Sequence, residues 1–305
     1  MLRKNNRKKN IIITGAKGQD GIILSKLLNK KNYKIIGIVR QLNGKKINNV
    51  TYKKINLSNS KSVLKTIKKI NPDVLIHFGS DNPSFSESKK LNKNIYIRNF
   101  NETKNLIDSF TELKKSKLIL IGSSQMYKNI KTKVNLNTKF AQSTPYTKFR
   151  INTYKYMIKQ KRKFNSNMVM AILFNHDSIY RNKKFLIPRL IRIIKDKDFN
   201  TLQDIYKNNI SGDFSHANDI CNGLVKLISL KKNPDKLIFS SNKRIQINDI
   251  IKFLLKINKI KKIVNLKIKR KKVSPIGDNS YTKKLLNWKL KKNIFIAVRE
   301  LNKLY

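Results

Sequence analysis

The chain has 305 residues, of which 39% are hydrophobic, and this allows a large core in one domain or two closely packed domains. Its 69 Lys and Arg residues outnumber 17 Asp and Glu, and the formal net charge of +52 raises the hypothesis of a polyanion-binding protein. Because Lys is spread along the whole chain, and Lys, Asn and Ile all have AT-rich codons, we attribute the charge to composition. We therefore expect no specific nucleic-acid partner, only weak and salt-sensitive adhesion to polyanions.

The single cysteine, Cys221, excludes an intramolecular disulfide and is typical of the reducing cytoplasm. Cys221 lies in an apolar helical pattern, so we interpret it as a core residue. The basic N-terminus is not followed by an adequate apolar segment, and no apolar run is long enough to cross a bilayer. We expect a cytoplasmic protein without a signal peptide, a membrane partner or a metal site.

The first strand and helix predicted along the chain form a dinucleotide-binding unit. Residues 11–21 read IIITGAKGQDG, and an apolar helical segment follows. Gly15 permits a tight turn, Gly18 lets the backbone approach a pyrophosphate, and Gly21 lets the helix pack closely against the strand. The helix N-terminus would face the anion with free N–H groups. The GxxGxxG spacing is typical of short-chain dehydrogenases/reductases.

Strand and helix patterns then alternate through the first half of the chain. Strands are predicted at Tyr33–Val39, Val50–Asn56, Asp73–Phe78, Lys117–Ile121 and Met168–Leu173, and helices at Ser60–Ile70, Asn101–Phe110 and Tyr146–Lys159. This alternation predicts an α/β fold with a Rossmann-type, doubly wound parallel sheet. Ligands of such sheets lie at the carboxyl ends of the strands.

The second half is predicted to form a smaller, interleaved C-terminal substrate-binding domain. Loops and short helices begin near Asn175, and a strand–helix unit at Asp213–Leu230 returns to the first domain. Further helices are predicted at Asn248–Ile257 and Asn293–Leu304. We therefore assign residues 1–173 and 211–242 to the Rossmann domain, and residues 174–210 and 243–305 to the substrate domain.

Side chains that follow the strands indicate a redox site. Arg40 follows the second strand, where an Asp or Glu usually holds a cofactor that lacks a 2′-phosphate. We expect Arg40 to have no competing carboxylate and to favour NADP over NAD. Ser123 follows a later strand, and Tyr146 and Arg150 share one helix face. A cation beside a phenol favours the phenolate, which can take a proton from a sugar hydroxyl while hydride leaves for a nicotinamide.

Five motifs carry a resemblance to a known family. They are ITGAKGQDG at the start, GIVR at Gly37–Arg40, LFNHDS at Leu173–Ser178, DFSHAND at Asp213–Asp219, and Gly277-Asp278 followed by LNW at Leu286–Trp288. Most of the chain takes part, and the pairing of GQDG with LFNH is specific. The chain resembles the GDP-mannose 4,6-dehydratase family of extended short-chain dehydrogenases/reductases.

The resemblance implies NADP as cofactor, GDP-mannose as substrate, GDP-4-dehydro-6-deoxy-mannose as product, and a homo-oligomer, either a dimer or a tetramer. The positions implied to carry the catalysis are Ser123, Gln125, Tyr146 and Arg150. The residues implied to bind NADP are Gly15, Gly18, Gln19, Asp20, Gly21, Arg40, Asn56, Leu57, Gly79, Ser80, His176 and Arg181, with Phe78–Asn82 lining the nicotinamide side. Asn175 and Arg189 are implied to bind the nucleotide-sugar.

The departures from the family pattern bear on the reaction. Gln125 stands where the family has the Glu that removes the C5 proton, and an amide cannot act as a general base. Arg150 replaces a lysine and keeps its charge but not its geometry. Asn56 stands in place of Asp, Gly212 in place of Arg, and Asn182 in place of Gly. The alternatives are therefore another NADP-linked nucleotide-sugar reductase or epimerase, a catalytically inactive nucleotide-sugar-binding subunit, or a polyanion-binding protein on a Rossmann scaffold.

Overall fold

The computed structural model describes residues 8–31, 33–44, 46–82, 93–113, 115–127, 130, 132–261 and 272–305. Strands in this part of the chain are β1 (Asn10–Thr14), β2 (Lys34–Val39), β3 (Val50–Lys54), β4 (Val74–His77), β5 (Lys117–Ser123), β6 (Lys133–Val134), β7 (Asn167–Leu173), β8 (Asn175–Asp177), β9 (Ile210–His216), β10 (Lys236–Phe239), β11 (Arg244–Gln246), β12 (Lys272–Val273) and β13 (Ile276–Gly277). Helices are α1 (Gln19–Asn29), α2 (Ser60–Ile70), α3 (Lys93–Thr111), α4 (Pro145–Phe164), α5 (Leu186–Lys195), α6 (Phe199–Lys207), α7 (Ala217–Ser229), α8 (Ile247–Ile257), α9 (Ser280–Leu286) and α10 (Ile294–Asn302).

The predicted parallel sheet is confirmed. Seven strands pair in the order β3-β2-β1-β4-β5-β7-β10, and every pairing is parallel. The chain runs outward from β1 to β3 and then crosses back to β4, so the strand order reverses between β1 and β4. In doubly wound sheets the ligand crevice lies at this reversal, at the carboxyl ends of the strands.

Both faces of the sheet are buried, which explains why its strands are continuously apolar in sequence. In β1, Ile11 and Ile13 point to the core shared with α1 and α7, while Ile12 points to the core shared with α2, α3 and α4. Side chains alternate between the two faces of a strand, so three consecutive isoleucines serve both cores.

Helix α4, which carries Tyr146 and Arg150, has strong local boundaries. Thr144 and Thr147 form a reciprocal capping box, with Pro145 in the first turn, where its missing N–H is not needed. Asn165 ends the helix in the left-handed conformation, with φ of 49°. The predicted helix at Tyr146–Lys159 therefore extends one turn further, and α3 also begins eight residues before the predicted Asn101.

A second, smaller unit follows the Rossmann strands. In its sheet the central strand β9 pairs with β8, β11 and β12. Apolar faces of α5, α6, α8 and α10 form a separate core beside this sheet. The segment predicted to return to the Rossmann domain contributes to both units. Strand β9 belongs to the smaller sheet, whereas α7 packs on the large sheet and β10 pairs with its strand β7. Within the described ranges, no helix is both long and apolar enough to cross a bilayer.

Candidate active site

The glycine turn lies at the reversal point of the sheet. Gly15 has φ of +67°, its N–H donates to the carbonyl of Ile38, and a Cβ built on it would lie 3.1 Å from the backbone nitrogen of Gly79. Gly18 occupies the N-cap of α1 in extended conformation, and as a glycine it has no side chain to cap this helix end. The turn therefore passes between the ends of β2 and β4 and leaves the first N–H groups of α1 available to an anion.

Gln19, Asp20 and His176 form a buried joint between α1 and β8. The His176 Nε2 lies 3.0 Å from the Asp20 Oδ1, and its Nδ1 donates to the Phe174 carbonyl at 2.6 Å. The Gln19 amide donates to the His176 carbonyl at 3.2 Å. Burial would lower the pKa of His176, but the charge and hydrogen bond of Asp20 outweigh burial and raise it. The contacts of this joint therefore fix the glycine turn against the smaller unit.

Arg181 extends this joint. Its Nε lies 3.2 Å from the Asp177 Oδ1, and its guanidinium covers the ring of Phe185 at 3.7 Å from the centroid. The structure thus brings together four residues that were predicted to touch the cofactor, through contacts among themselves and with their neighbours. They are Gln19, Asp20, His176 and Arg181.

A neutral histidine supports the end of β4. The Nδ1 of His77 accepts from the Thr14 hydroxyl at 2.7 Å, and its Nε2 donates to the Thr103 hydroxyl at 3.0 Å. Burial, and then the charge of Arg150, lower the pKa of His77 to about 3. Thr14 in turn accepts from the Gly79 N–H at 3.0 Å. This polar chain fixes Gly79 beside the glycine turn.

Tyr146 and Arg150 meet at the centre of the crevice. The Arg150 Nε donates to the Tyr146 hydroxyl at 3.3 Å, and its two terminal nitrogens donate to the Ile121 carbonyl and the Ser80 hydroxyl, each at 2.6 Å. Arg150 is 6% exposed, and its guanidinium also lies over the ring of Phe149. One buried cation therefore links the phenol on α4 to the ends of β4 and β5.

The turn that follows β5 contains no ionisable base. The Ser123 Oγ accepts from the Gln125 N–H at 3.2 Å, and the Gln125 side chain is exposed. Tyr127 is fully buried, and burial followed by the nearby Tyr154 raises its pKa well above the usual range. The residues from Ser123 to Tyr127 can therefore donate hydrogen bonds but cannot remove a carbon-bound proton.

The expectation that Arg40 has no competing carboxylate is wrong. Its two terminal nitrogens donate to the two oxygens of Asp81 at 3.1 and 3.2 Å, and Glu102 lies 4.0 Å away. Asp81 also accepts from Arg98 at 2.9 Å. The residue directly after β2 gives no sign of this pair in the sequence, because the carboxylate comes from the segment after β4, four residues beyond its end.

The loop that follows β3 is joined to the same network. Asn56 and Leu57 follow β3. The Asn56 side chain accepts a hydrogen bond from the Ser58 N–H, and the Leu57 carbonyl accepts one from the Asn105 amide. The Ser58 hydroxyl donates to Glu102 at 3.2 Å. Lys17, in the glycine turn, donates to the carbonyls of residues 41–43, which directly follow Arg40.

Asn175 and Arg189, predicted to bind the nucleotide-sugar, lie in the smaller unit. The Asn175 amide donates to the carbonyl of Asp213 at 3.2 Å. The Nε of Arg189, in the first turn of α5, is buried and has no hydrogen-bond partner among the residues the structure describes. A buried donor without an acceptor is costly, so an anionic ligand oxygen would complete it.

This geometry agrees with the comparison with known proteins. The family model described as GDP-mannose 4,6 dehydratase matches residues 12–301. The chain belongs to the GDP-mannose 4,6-dehydratase family. GDP-mannose 4,6 dehydratase 2 of Caenorhabditis elegans is 22% identical, with 81% of this chain and 70% of that protein covered. The GDP-mannose 4,6 dehydratase of Dictyostelium discoideum is 23% identical, with 97% and 96% covered.

Solved structures share the fold of this family member. The UDP-glucuronic acid 4-epimerase of Bacillus cereus, in complex with NAD, superposes with a TM-score of 0.79 at 18% identity, covering 97% of this chain and 99% of that chain. The dTDP-glucose 4,6-dehydratase of Bacillus anthracis, also with NAD, gives 0.79 at 15% identity, covering 97% and 96%. These structures show the fold that the chain shares, and the family match places it in the GDP-mannose 4,6-dehydratase family.

Proposed function

We propose that this chain binds NADP and a GDP-sugar, with GDP-mannose as the first candidate, and oxidises the sugar hydroxyl at C4. The observation that carries the proposal is the contact between Tyr146 and the buried Arg150 beside the carboxyl ends of β4 and β5. A family member with this pair retains the groups needed to take a proton from a sugar hydroxyl.

The described residues fit a dinucleotide. The N-terminus of α1, with a glycine at its N-cap, offers N–H groups to a pyrophosphate, and the backbones of Gly15 and Gly79 pack closely together between β1 and β4 with no side chain in the way. Arg40 and Lys17 supply positive charge at the end of β2, which favours NADP over NAD. Arg189 has a buried, unpartnered Nε among the described residues, which fits a phosphate of the nucleotide-sugar.

In this proposal Tyr146 takes the proton of the C4 hydroxyl, and Ser123 donates a hydrogen bond to the same oxygen. A nicotinamide held beside Gly79 and Ser80 would supply the acceptor for the hydride that leaves C4. The Arg150 Nε donates to the Tyr146 hydroxyl, and the bonds of Arg150 to Ser80 and the Ile121 carbonyl hold it against Tyr146. The sugar is thereby oxidised to a 4-keto sugar.

The subsequent loss of water from C5 and C6 is the slow step in this proposal. It requires a base for the C5 proton, and Gln125 stands where the family has Glu. A second candidate function, reversible reduction or 4-epimerisation of a nucleotide-sugar, is favoured by the same observation because neither reaction removes the C5 proton.

Incubation with GDP-mannose and NADP⁺ tests the proposal. We expect reduced cofactor, detected by its absorbance at 340 nm, to reach about one equivalent of the enzyme. The mass spectrum should show little product that has lost one water. Tyr146→Phe should abolish the absorbance while leaving dinucleotide binding intact. A product of unchanged mass but altered C4 configuration identifies an epimerase instead. Ligand binding without a rise in absorbance refutes the oxidation and favours the catalytically inactive nucleotide-sugar-binding homologue. Absence of both absorbance and ligand binding refutes the whole proposal.

A further inference from the structure

A bidentate ion pair lies in front of the sheet, between the segments that follow β2 and β4. Arg40 donates from both terminal nitrogens to both oxygens of Asp81, at 3.1 and 3.2 Å. Burial would raise the pKa of Asp81, but the hydrogen bond and charge of Arg40, followed by those of Arg98, lower it overall. The carboxylate is therefore ionised across the physiological range, and the pair has the fixed geometry of a fork-to-fork contact.

The position of this pair matters more than its strength. Arg40 directly follows β2, Asp81 lies four residues beyond β4, and β1 lies between these two strands in the sheet. The pair therefore spans the carboxyl end of β1, where the glycine turn begins. Gly15 contacts both sides of this span, through its hydrogen bond to Ile38 and its proximity to Gly79.

We infer that Arg40 and Asp81 form a clasp across the dinucleotide crevice, and that Asp81 determines which dinucleotide opens it. This inference rests on the proposed binding of a nicotinamide dinucleotide. A 2′-phosphate is an anion that can replace the carboxylate of Asp81 on Arg40, whereas the 2′-hydroxyl of NAD offers Arg40 no charge in exchange.

The surrounding charges allow the clasp to open at low cost. Asp81 keeps its hydrogen bond to Arg98 at 2.9 Å after it releases Arg40, so its carboxylate stays paired. Arg40 is 61% and Asp81 31% exposed at the side chain, so water replaces part of the lost contact. Glu102, 4.0 Å from Arg40 and 3.7 Å from Arg98, stays beside both cations.

Asp81→Asn is the decisive variant, because the amide keeps the shape of the side chain and removes its charge. The affinities of NADP⁺ and NAD⁺ are measured by isothermal titration calorimetry, which does not depend on turnover. We expect NADP⁺ to bind about three- to fivefold more tightly, the upper part of the range for an exposed ion pair because the contact is bidentate, and NAD⁺ to change by less than about twofold. Glu112→Gln is the matched control, since it removes one carboxylate from the exposed ion pair with Lys68.

A double-mutant cycle with Arg40→Gln isolates the clasp. In the Arg40→Gln background, Asp81→Asn should no longer change the ratio of the two affinities. Two results for Asp81→Asn would overturn the clasp alone. One is an unchanged ratio of the NADP⁺ and NAD⁺ affinities, which includes equal tightening of both, and the other is weaker NAD⁺ binding without tighter NADP⁺ binding. If neither dinucleotide binds the wild type or Asp81→Asn, and thermal melts show that both proteins are folded, the clasp and the proposed function are overturned together.

Discussion

Gly18 and Gly21 have different physical roles, and a pair of alanine substitutions separates them. A Cβ on Gly21 would lie 2.5 Å from the Gly15 carbonyl oxygen and 2.7 Å from the Ala16 Cα, both backbone atoms that cannot rotate away. Overpacking of this kind costs about 1–3 kcal/mol, and the better helix propensity of alanine offsets about 1 kcal/mol of it. We expect Gly21→Ala to lower the free energy of unfolding by about 1 kcal/mol, and by no more than about 2 kcal/mol.

Gly18→Ala should behave differently. Gly18 is exposed and extended, and a Cβ there would meet only the Gly15 carbonyl oxygen, at 3.3 Å. The cost to folding should stay below about 1 kcal/mol, the size of an N-cap effect. The methyl group would nevertheless stand at the N–H groups of α1, so we expect dinucleotide affinity to fall by about tenfold or more, which corresponds to about 1.4 kcal/mol.

Denaturant unfolding monitored by circular dichroism gives the stability of both variants, and calorimetric titration with NADP⁺ gives the affinity. The reasoning is refuted if Gly21→Ala unfolds at the wild-type denaturant concentration, since its methyl group would then have found room. It is equally refuted if Gly18→Ala binds NADP⁺ as the wild type does.

Three further predictions concern the reaction, the charge and pH. Gln125→Glu should raise dehydration of GDP-mannose by about 10²–10⁴-fold, measured as the 4-keto, 6-deoxy product; a robust wild-type rate unchanged by the substitution would contradict this. Retention of the chain on immobilised DNA should be independent of sequence and disappear between low and physiological salt, and selective binding at physiological salt would contradict a compositional origin of the charge. Burial raises the pKa of Asp213 to about 6, so the folded state holds its proton longer than the unfolded state. The free energy of unfolding of the wild type, relative to that of Asp213→Asn, should therefore fall by up to about 3 kcal/mol as pH rises from about 4 to about 6. Denaturant unfolding measures it, and a difference between the two proteins that stays constant with pH would contradict the raised pKa.

The Rossmann half of the fold was predictable from the sequence because its signals are local. Each buried parallel strand is a short apolar run, and the helices between them carry apolar stripes. Helix α2 is also bounded by local signals, with Asn59 capping its start and Asn71 in the left-handed conformation at its end. The smaller unit was less predictable. Strands β8, β11, β12 and β13 have two or three residues each, too few for a period to be recognised, and they exist only because β9 and β6 lie beside them.

The sequence by itself determined the glycine turn, the Tyr146–Arg150 spacing and the loss of a base at Gln125. These features depend on residue type and on neighbours within one helical turn, where backbone geometry is fixed. Only the tertiary structure decided which charges meet. Asp81 reaches Arg40 from 41 residues away, and Gln19 reaches His176 from 157 residues away. Such pairs depend on strand order, because the reversal between β1 and β4 brings the ends of β2 and β4 to the two sides of one crevice.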